Sequence, residues 1–430
     1  MKIVQYPKKA DWPQWLQRPA IDNSSLQEKV KAVMKEVKRN GDAAVKQFTQ
    51  QFDGAVLDDF AVSEQEISEA ASLLSDVLKL AIQQAAANIT LFHTRQTAAV
   101  EVVETMPGVQ CWRKSIGIEK VGLYIPGGTA PLFSTILMLA IPAKIAGCKQ
   151  VVLCSPPGKD GKLHPAILYA ASITGITSVY KIGGVQAIAA MAYGTATVPQ
   201  VYKIFGPGNQ YVTCAKQLVQ QEGIAIDMPA GPSEVCVLAD DTANATFVAA
   251  DLLSQAEHGA DSQVLLVSTS ATLVEQVQDE LTKQLAQLSR KELAAKALEN
   301  STAILVQDLA EAIALVNEYA AEHLIISCKD ADELAEQIVN AGSVFLGNYS
   351  PESVGDYASG TNHTLPTNGF AKAYSGVSVD SFVKKVTYQK LSQQGLNNIA
   401  STVVLMAEAE GLDAHANAVR VRAAYPKAEN

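Results

Sequence analysis

Lys120-Val121-Gly122-Leu123-Tyr124-Ile125-Pro126-Gly127-Gly128 is a short apolar run closed by a glycine turn and followed by an Ala-rich amphipathic stretch. Apolar runs of this length bounded by turn residues and alternating with helical patterns are the signature of a parallel sheet covered by helices. The same alternation recurs along the chain. Candidate strands follow at Gln150 to Cys154, Ser178 to Ile182, Gln200 to Phe205 and Gly223 to Asp227, giving one α/β lobe. A second series, Glu234 to Ala239, Gln263 to Ser268, Thr302 to Val306, His323 to Ser327 and Ser343 to Leu346, gives another of similar plan. No sequence repeat relates the two.

Upstream, residues 24 to 97 read as helical, with capping boxes at Ser25/Glu28 and Ser63/Glu66, each leading into apolar residues at helical spacing. Downstream, Tyr388 to Ala409 reads as helix and Val419-Arg420-Val421-Arg422 as a charged helix or tail. The expected class is therefore α/β, with two Rossmann-like parallel-sheet lobes, a helical N-terminal segment and a small C-terminal extension. The 430 residues exceed what one core usually holds. They divide into an N-terminal extension (1–22), a larger α/β domain (23–118 with 234–377), a second α/β domain (119–233) and a C-terminal extension (378–430).

Composition narrows the function. With 48% hydrophobic and 18% charged residues the chain is a globular enzyme or binding protein. A net charge of -10 argues against a nucleic-acid partner. The start carries no apolar core of signal-peptide length, and the most apolar stretch, Ala130 to Ile145, is interrupted by Pro142 and Lys144, so a cytoplasmic protein with no membrane span is expected. Six widely spaced cysteines without a CxxC pair read as buried free thiols.

In open parallel sheets ligands bind beyond the carboxyl ends of the strands. In the first lobe those loops are glycine-rich: Pro126-Gly127-Gly128, Gly183-Gly184-Val185-Gln186 and Gly206-Pro207-Gly208-Asn209. Such turns let backbone approach an anion at a helix N-terminus, and equally serve as ordinary βα turns. There is no G-x-G-x-x-G, and no acidic residue ends the second strand to grip a ribose.

The second lobe holds the reactive residues. Asp251, Gln255 and His258 share one helix face that Gly259 terminates, so Gln255 and His258 can aim together at a metal. Glu322-His323, Asp356 and His415 add carboxylates and imidazoles from a chain with six histidines. Glu322 and His323, at a helix–strand junction where neighbouring side chains diverge, could serve two successive proton transfers. An interlobe cleft hinged near Ser233 would join the two sets.

On these segments the chain resembles histidinol dehydrogenase over essentially its full length: Val121 to Gly128, Gly206 to Asn209, Asp227 to Glu234, Leu252 to Gly259, Glu322-His323-Leu324 and Glu410 to His415. The resemblance implies an NAD-dependent enzyme with one Zn2+ per subunit, oxidising L-histidinol through L-histidinaldehyde to L-histidine. It implies zinc on Gln255, His258, Asp356 and His415, with His415 supplied across a homodimer whose C-terminal extension packs on the partner. Glu322 would activate water and His323 act as base. Ser233, Gln255, His258, His323, Asp356, Glu410 and His415 would contact substrate, and Tyr124, Gln186 and Asn209 would touch NAD. His363 would contact substrate or support the site, whereas His93 and His164 read as structural. A zinc hydrolase using the same ligands and a Glu, and a two-lobed solute-binding protein, are the competing classes.

Overall fold

The computed structural model describes residues 1–18, 23–127, 131–229 and 231–424, the side chains of 23–25 apart. Gly128 of the first glycine turn, Ala230 before Ser233 and the Ser25 capping box lie outside the described residues. The strands are β1 (Lys2–Gln5), β2 (Val102–Met106), β3 (Val109–Gly117), β4 (Lys120–Tyr124), β5 (Gln150–Ser155), β6 (Ser178–Lys181), β7 (Lys203–Phe205), β8 (Ala225–Ile226), β9 (Glu234–Ala239), β10 (Gln263–Ser268), β11 (Thr302–Leu305), β12 (His323–Ser327), β13 (Ser343–Leu346) and β14 (Val383–Leu391). Contacts divide the chain into two units, Met1–Gln96 with Ile118–Phe382, and Thr97–Gly117 with Val383–Asn430.

The first unit contains both expected lobes, each a parallel sheet. One has the order β6-β5-β4-β7-β8 and the other β1-β11-β10-β9-β12-β13. β9, at the centre of the six-stranded sheet, is buried at every position, as its unbroken apolar run Val235-Cys236-Val237-Leu238-Ala239 requires. In the five-stranded sheet the chain runs outward through β5 and β6 and then returns to β7 on the other side of β4. That reversal opens a crevice at the carboxyl ends of β4 and β7.

Two expectations change. The expected larger domain takes in residues 23–118, but the helices of 23–94 pack on the helices that cover the five-stranded sheet. Leu26, Val30, Met34 and Val37 pack with Ile188, Met191 and Val219, and Ile82 and Ile89 pack with Ile136 and Leu139. Their apolar faces are legible, but chain order does not say which sheet receives them. The N-terminal extension contributes β1, whose Lys2 to Gln5 pair with Thr302 to Leu305 at the sheet edge.

The second unit is built on an antiparallel sheet, β14-β3-β2. Tyr388 to Leu391 are strand, not helix; the helix begins at Gln393 and runs to Ala409. Trp112 stacks on Tyr388 at 5.5 Å across the β3–β14 pair, a contact between residues far apart in sequence that no local pattern announces. A final helix, Asp413–Ala423, packs on the Gln393–Ala409 helix.

Local chemistry is otherwise as read. Ser63 and Glu66 form the capping box, and all six cysteines are free, although Cys111 and Cys148 are half-buried where burial was expected. No helix among the described residues is long and apolar enough to cross a membrane. The last residue of the first unit, Phe382, is wholly buried and stacked on Phe205 with ring centroids 3.9 Å apart. Phe382→Ala should destabilise the protein by about 3–5 kcal/mol, read as a lowered guanidinium midpoint.

Candidate active site

The acid/base residues gather at the amino ends of the central strands of the six-stranded sheet. Glu234 opens β9 and His323 opens β12, with His323 in register with Val235. The segment 227–233 carries the chain from the carboxyl end of β8 to the amino end of β9, so it runs from one lobe's ligand-binding edge to this cluster. Ser233 is its last residue.

The helix Ala245–Ala256, capped by the Asn244 side chain, returns antiparallel to β9, which brings its carboxyl end back to the strand's amino end. Gln255 is completely buried there, and His258 follows in the closing turn, its Nδ1 3.3 Å from Ser233 Oγ. A short helix, Glu352–Tyr357, places Glu352 and Asp356 one turn apart on the same side of the site.

His323 is the meeting point. Its Nε2 lies 3.2 Å from Asp356 Oδ1, and its Nδ1 lies 3.2 Å from the Glu234 carbonyl and 3.2 Å from Gln255 Nε2. These last two roles are exclusive: a protonated Nδ1 donates to the carbonyl, and a bare Nδ1 accepts from the amide. Glu322 does not diverge from its neighbour as expected. Its carboxylate accepts the Glu234 N–H at 2.9 Å and lies 3.7 Å from His323 Nδ1, so both side chains converge on the backbone of one residue, Glu234.

Burial dominates the electrostatics. It pushes Glu322 up to about 8 and Glu352 up to about 7. Asp251, buried and facing Glu352, rises to about 7. Burial alone would lower His323, but Glu322, Asp356 and Glu352 outweigh it and raise the ring to about 10. Burial drives Asp356 up, but its hydrogen bond to His323 and the charges of His323, His363 and His258 together outweigh it, so it ends below the usual range. His258 is lowered by burial. A histidine and three acids in this space form a strongly coupled set with protons to share.

Glu352 is the residue that the sequence reading missed, although its i, i+4 spacing from Asp356 was visible. Its Oε1 accepts from Ser254 Oγ and its Oε2 accepts from Gln255 Nε2 at 3.0 Å. With Glu352 ionised its carboxylate only accepts, so this contact takes the nitrogen end of the Gln255 amide. Gln255 Oε1 is left buried without a partner. Such an oxygen suits a cation. No three His, Cys, Asp or Glu side chains among the described residues form a metal-holding group. Gln255 is not of those types, and His415 lies on the second unit, exposed in the first turn of the last helix, with Glu410 exposed at the end of the preceding one.

His363 uses both ring nitrogens for support: Nδ1 lies 2.9 Å from the Asp356 carbonyl and Nε2 3.0 Å from Thr135 Oγ1. His93 is buried against Ile89, and His164 caps a helix. Arg18 makes a two-pronged pair with the buried Glu234 carboxylate, at 2.6 and 2.9 Å, donates to the Tyr319 carbonyl and stacks over the Tyr319 ring.

At the other lobe, Tyr124 ends β4 and its hydroxyl accepts the Gly184 N–H at 3.1 Å. Asn209 caps the helix Gln210–Gln221 through Oδ1, leaving its amide nitrogen to face outward from the turn. Gln186 is wholly buried with Oε1 unpartnered, and its Nε2 lies 3.3 Å from Asp53 Oδ2. The loop before Asn209 is clamped by a buried ion pair: Lys216 reaches Asp227 and the Gly206 carbonyl, and Asp227 accepts the Gly206 N–H. At Gly206, φ is +123° and a Cβ would fall 2.0 Å from the Tyr124 carbonyl, so only glycine fits.

Two parallel α/β lobes, with a glycine-rich crevice in one and a buried acid/base cluster in the other, define a class: an α/β enzyme that works on a small molecule with proton transfer. Comparison with known proteins narrows it. The histidinol dehydrogenase family model matches residues 16–423. The histidinol dehydrogenase of Bacteroides thetaiotaomicron is 59% identical over 422 residues, covering 98% of this chain and 99% of that one. That of Shewanella oneidensis is 54% identical over 424 residues, covering 96% of each. The crystal structure of histidinol dehydrogenase from Elizabethkingia anophelis superposes with a TM-score of 0.96 at 53% identity, over 98% of both chains. The chain belongs to the histidinol dehydrogenase family.

The Arg18 pair yields a test. Arg18→Ala would strand the buried Glu234 carboxylate and should cost about 3–5 kcal/mol of stability, measured by chemical unfolding. Turnover should fall with it, because Glu234 anchors Glu322 and His323.

Proposed function

We propose that this protein oxidises L-histidinol through L-histidinaldehyde to L-histidine, the last step of histidine biosynthesis, with reduction of two NAD. The observation that carries the reading is the convergence of Glu322 and His323 on the Glu234 backbone, with Gln255 and Asp356 bonded to His323. Two adjacent proton-transfer groups at one ligand-holding site suit two successive oxidations of one carbon. Alcohol to acid is a four-electron change, so two hydride acceptors are consumed and one water is added between the steps.

His323 takes the hydroxyl proton in the alcohol step. Its proton is held against burial by the charge of Glu322 and then by the hydrogen bond to Asp356, with Glu352 adding to them. Asp356 engaged by a cation would no longer retain that proton, which moves His323 toward neutrality and toward competence as a base. Glu322, with its carboxyl near 8, is poised to remove a proton from water for the aldehyde step. Its bond to the Glu234 N–H fixes the carboxylate while leaving the second oxygen for water.

Gln255 through Oε1, His258 and Asp356 would hold zinc, with His415 of the second unit completing the set from a partner subunit of a homodimer, one zinc per subunit. Bound zinc supplies a fixed positive charge that anchors the substrate, and NAD supplies the hydride acceptor. Ser233 and Glu410 would join these residues in holding L-histidinol. Tyr124, Gln186 and Asn209 would line the NAD crevice. The second unit would pack on the partner, in a cytoplasmic enzyme.

Purified, zinc-loaded protein given L-histidinol and NAD should form two NADH per L-histidine. Absence of NADH from zinc-retaining protein would shift the reading to a hydrolase using the same ligands. Glu322→Gln should still form the first NADH in a rapid-mixing experiment and stall before the second; equal loss of both steps would remove its role in hydration.

A further inference from the structure

The first lobe lacks one feature of a dinucleotide-binding unit. Its second strand, β5, ends in Ser155-Pro156 with no carboxylate to accept the hydroxyls of an adenosine ribose. The structure supplies a carboxylate there from elsewhere in the chain. Asp53 closes a π-helical turn, Thr49–Asp53, with Gly54 following in the left-handed conformation, a turn that projects the segment onto the lobe. A Cβ on Gly183 would lie 3.0 Å from Asp53 Oδ1 and 2.5 Å from Pro156 Cβ. Asp53 therefore stands over the carboxyl ends of β5 and β6, where the missing acid belongs.

Its surroundings are those of a ligand site. Gln186 donates to Asp53 Oδ2, and the other end of that wholly buried amide, Oε1, has no partner. A buried amide carbonyl left open is costly unless a donor arrives. Tyr124, at the switch-point crevice, feels the Asp53 charge. No Lys, Arg or His pairs with Asp53 among the described residues, and burial raises its carboxyl to about 6, so it is an anion without a cation at neutral pH.

The geometry points to Asp53 as the acceptor for the adenosine ribose hydroxyls of the dinucleotide and as the residue that selects NAD over NADP. This rests on the reading that the protein uses NAD. A carboxylate accepts from a 2′-hydroxyl with a charge-assisted bond, and the same charge repels a 2′-phosphate in a partly desolvated pocket. The Gln186 carbonyl provides a second acceptor alongside. The signal was absent from the sequence because Asp53 lies more than a hundred residues from the strands it serves.

The test is equilibrium binding of NAD and of NADP to zinc-loaded protein by calorimetry, comparing the wild type with Asp53→Asn and Asp53→Ser. Wild type should favour NAD. In both variants NAD affinity should fall about tenfold or more while NADP affinity holds or improves, so the preference narrows by at least that factor. Zinc content, L-histidinol binding and the thermal midpoint should stay at wild-type values. A parallel loss of both dinucleotides, or an unchanged ratio, would overturn the assignment of Asp53 while leaving NAD use intact. Wild-type protein that binds neither dinucleotide would overturn the NAD reading and this assignment with it.

Discussion

Glu234 is where the first unit's site is held together. Its side chain is fixed by Arg18 and by the Asn368 N–H, its amide by Glu322 and its carbonyl by His323. A buried carboxylate is tolerable only when fully paired, and this one is paired by the most rigid cation available, through two parallel bonds. The consequence is positional. Glu322 and His323 belong to the start of β12, and the register of β12 against β9 delivers them to the Glu234 backbone without any flexible loop between. A site built on two adjacent strands of a buried parallel sheet keeps its geometry when substrate binds.

The two lobes present opposite edges. The five-stranded sheet offers the carboxyl ends of β4, β6 and β7, with their glycine turns, and the six-stranded sheet offers the amino ends of β9 and β12. Ligand sites at strand carboxyl ends follow from the turns and helix N-termini found there. The acid/base cluster has a different basis: amino ends are where the helices return, so a residue late in a covering helix, such as Gln255, can meet one early in a strand, such as His323. The segment 227–233 joins the two edges, and Asp227 and Ser233 mark its ends, one clamping the Gly206 loop and the other touching His258.

Much of this was legible in the sequence. Ten of the eleven strands described in the two parallel sheets lie where apolar runs and turns placed them, because buried parallel strands are locally distinctive. The helix face carrying Asp251 and Gln255 was legible for the same reason, since period fixes direction, whereas His258, read onto the same face, lies past the helix end at Ala256 in the closing turn. What local pattern cannot carry is pairing. β1 looks like a tail until it meets β11, β14 looks helical until it meets β3, and the N-terminal helices carry no mark of which sheet they cover. The same limit hid Arg18 and Asp53, single charged residues whose partners lie far along the chain, while Glu352 was hidden only by attention to its neighbour.

The buried acids explain why a glutamine stands where a stronger metal ligand is usual. Burial already pushes Glu352, Asp251 and Glu322 up toward their neutral forms in this space, while Asp356, bonded to His323, is held ionised. A fifth carboxylate at position 255 would rise in pKa with the first three and arrive protonated, with a hydroxyl where a ligand oxygen is needed. An amide oxygen carries no charge to lose, and its nitrogen doubles as the donor that satisfies Glu352. Gln255 thus presents an acceptor at any pH that leaves Glu352 in place, a weaker ligand made dependable by the company of acids around it.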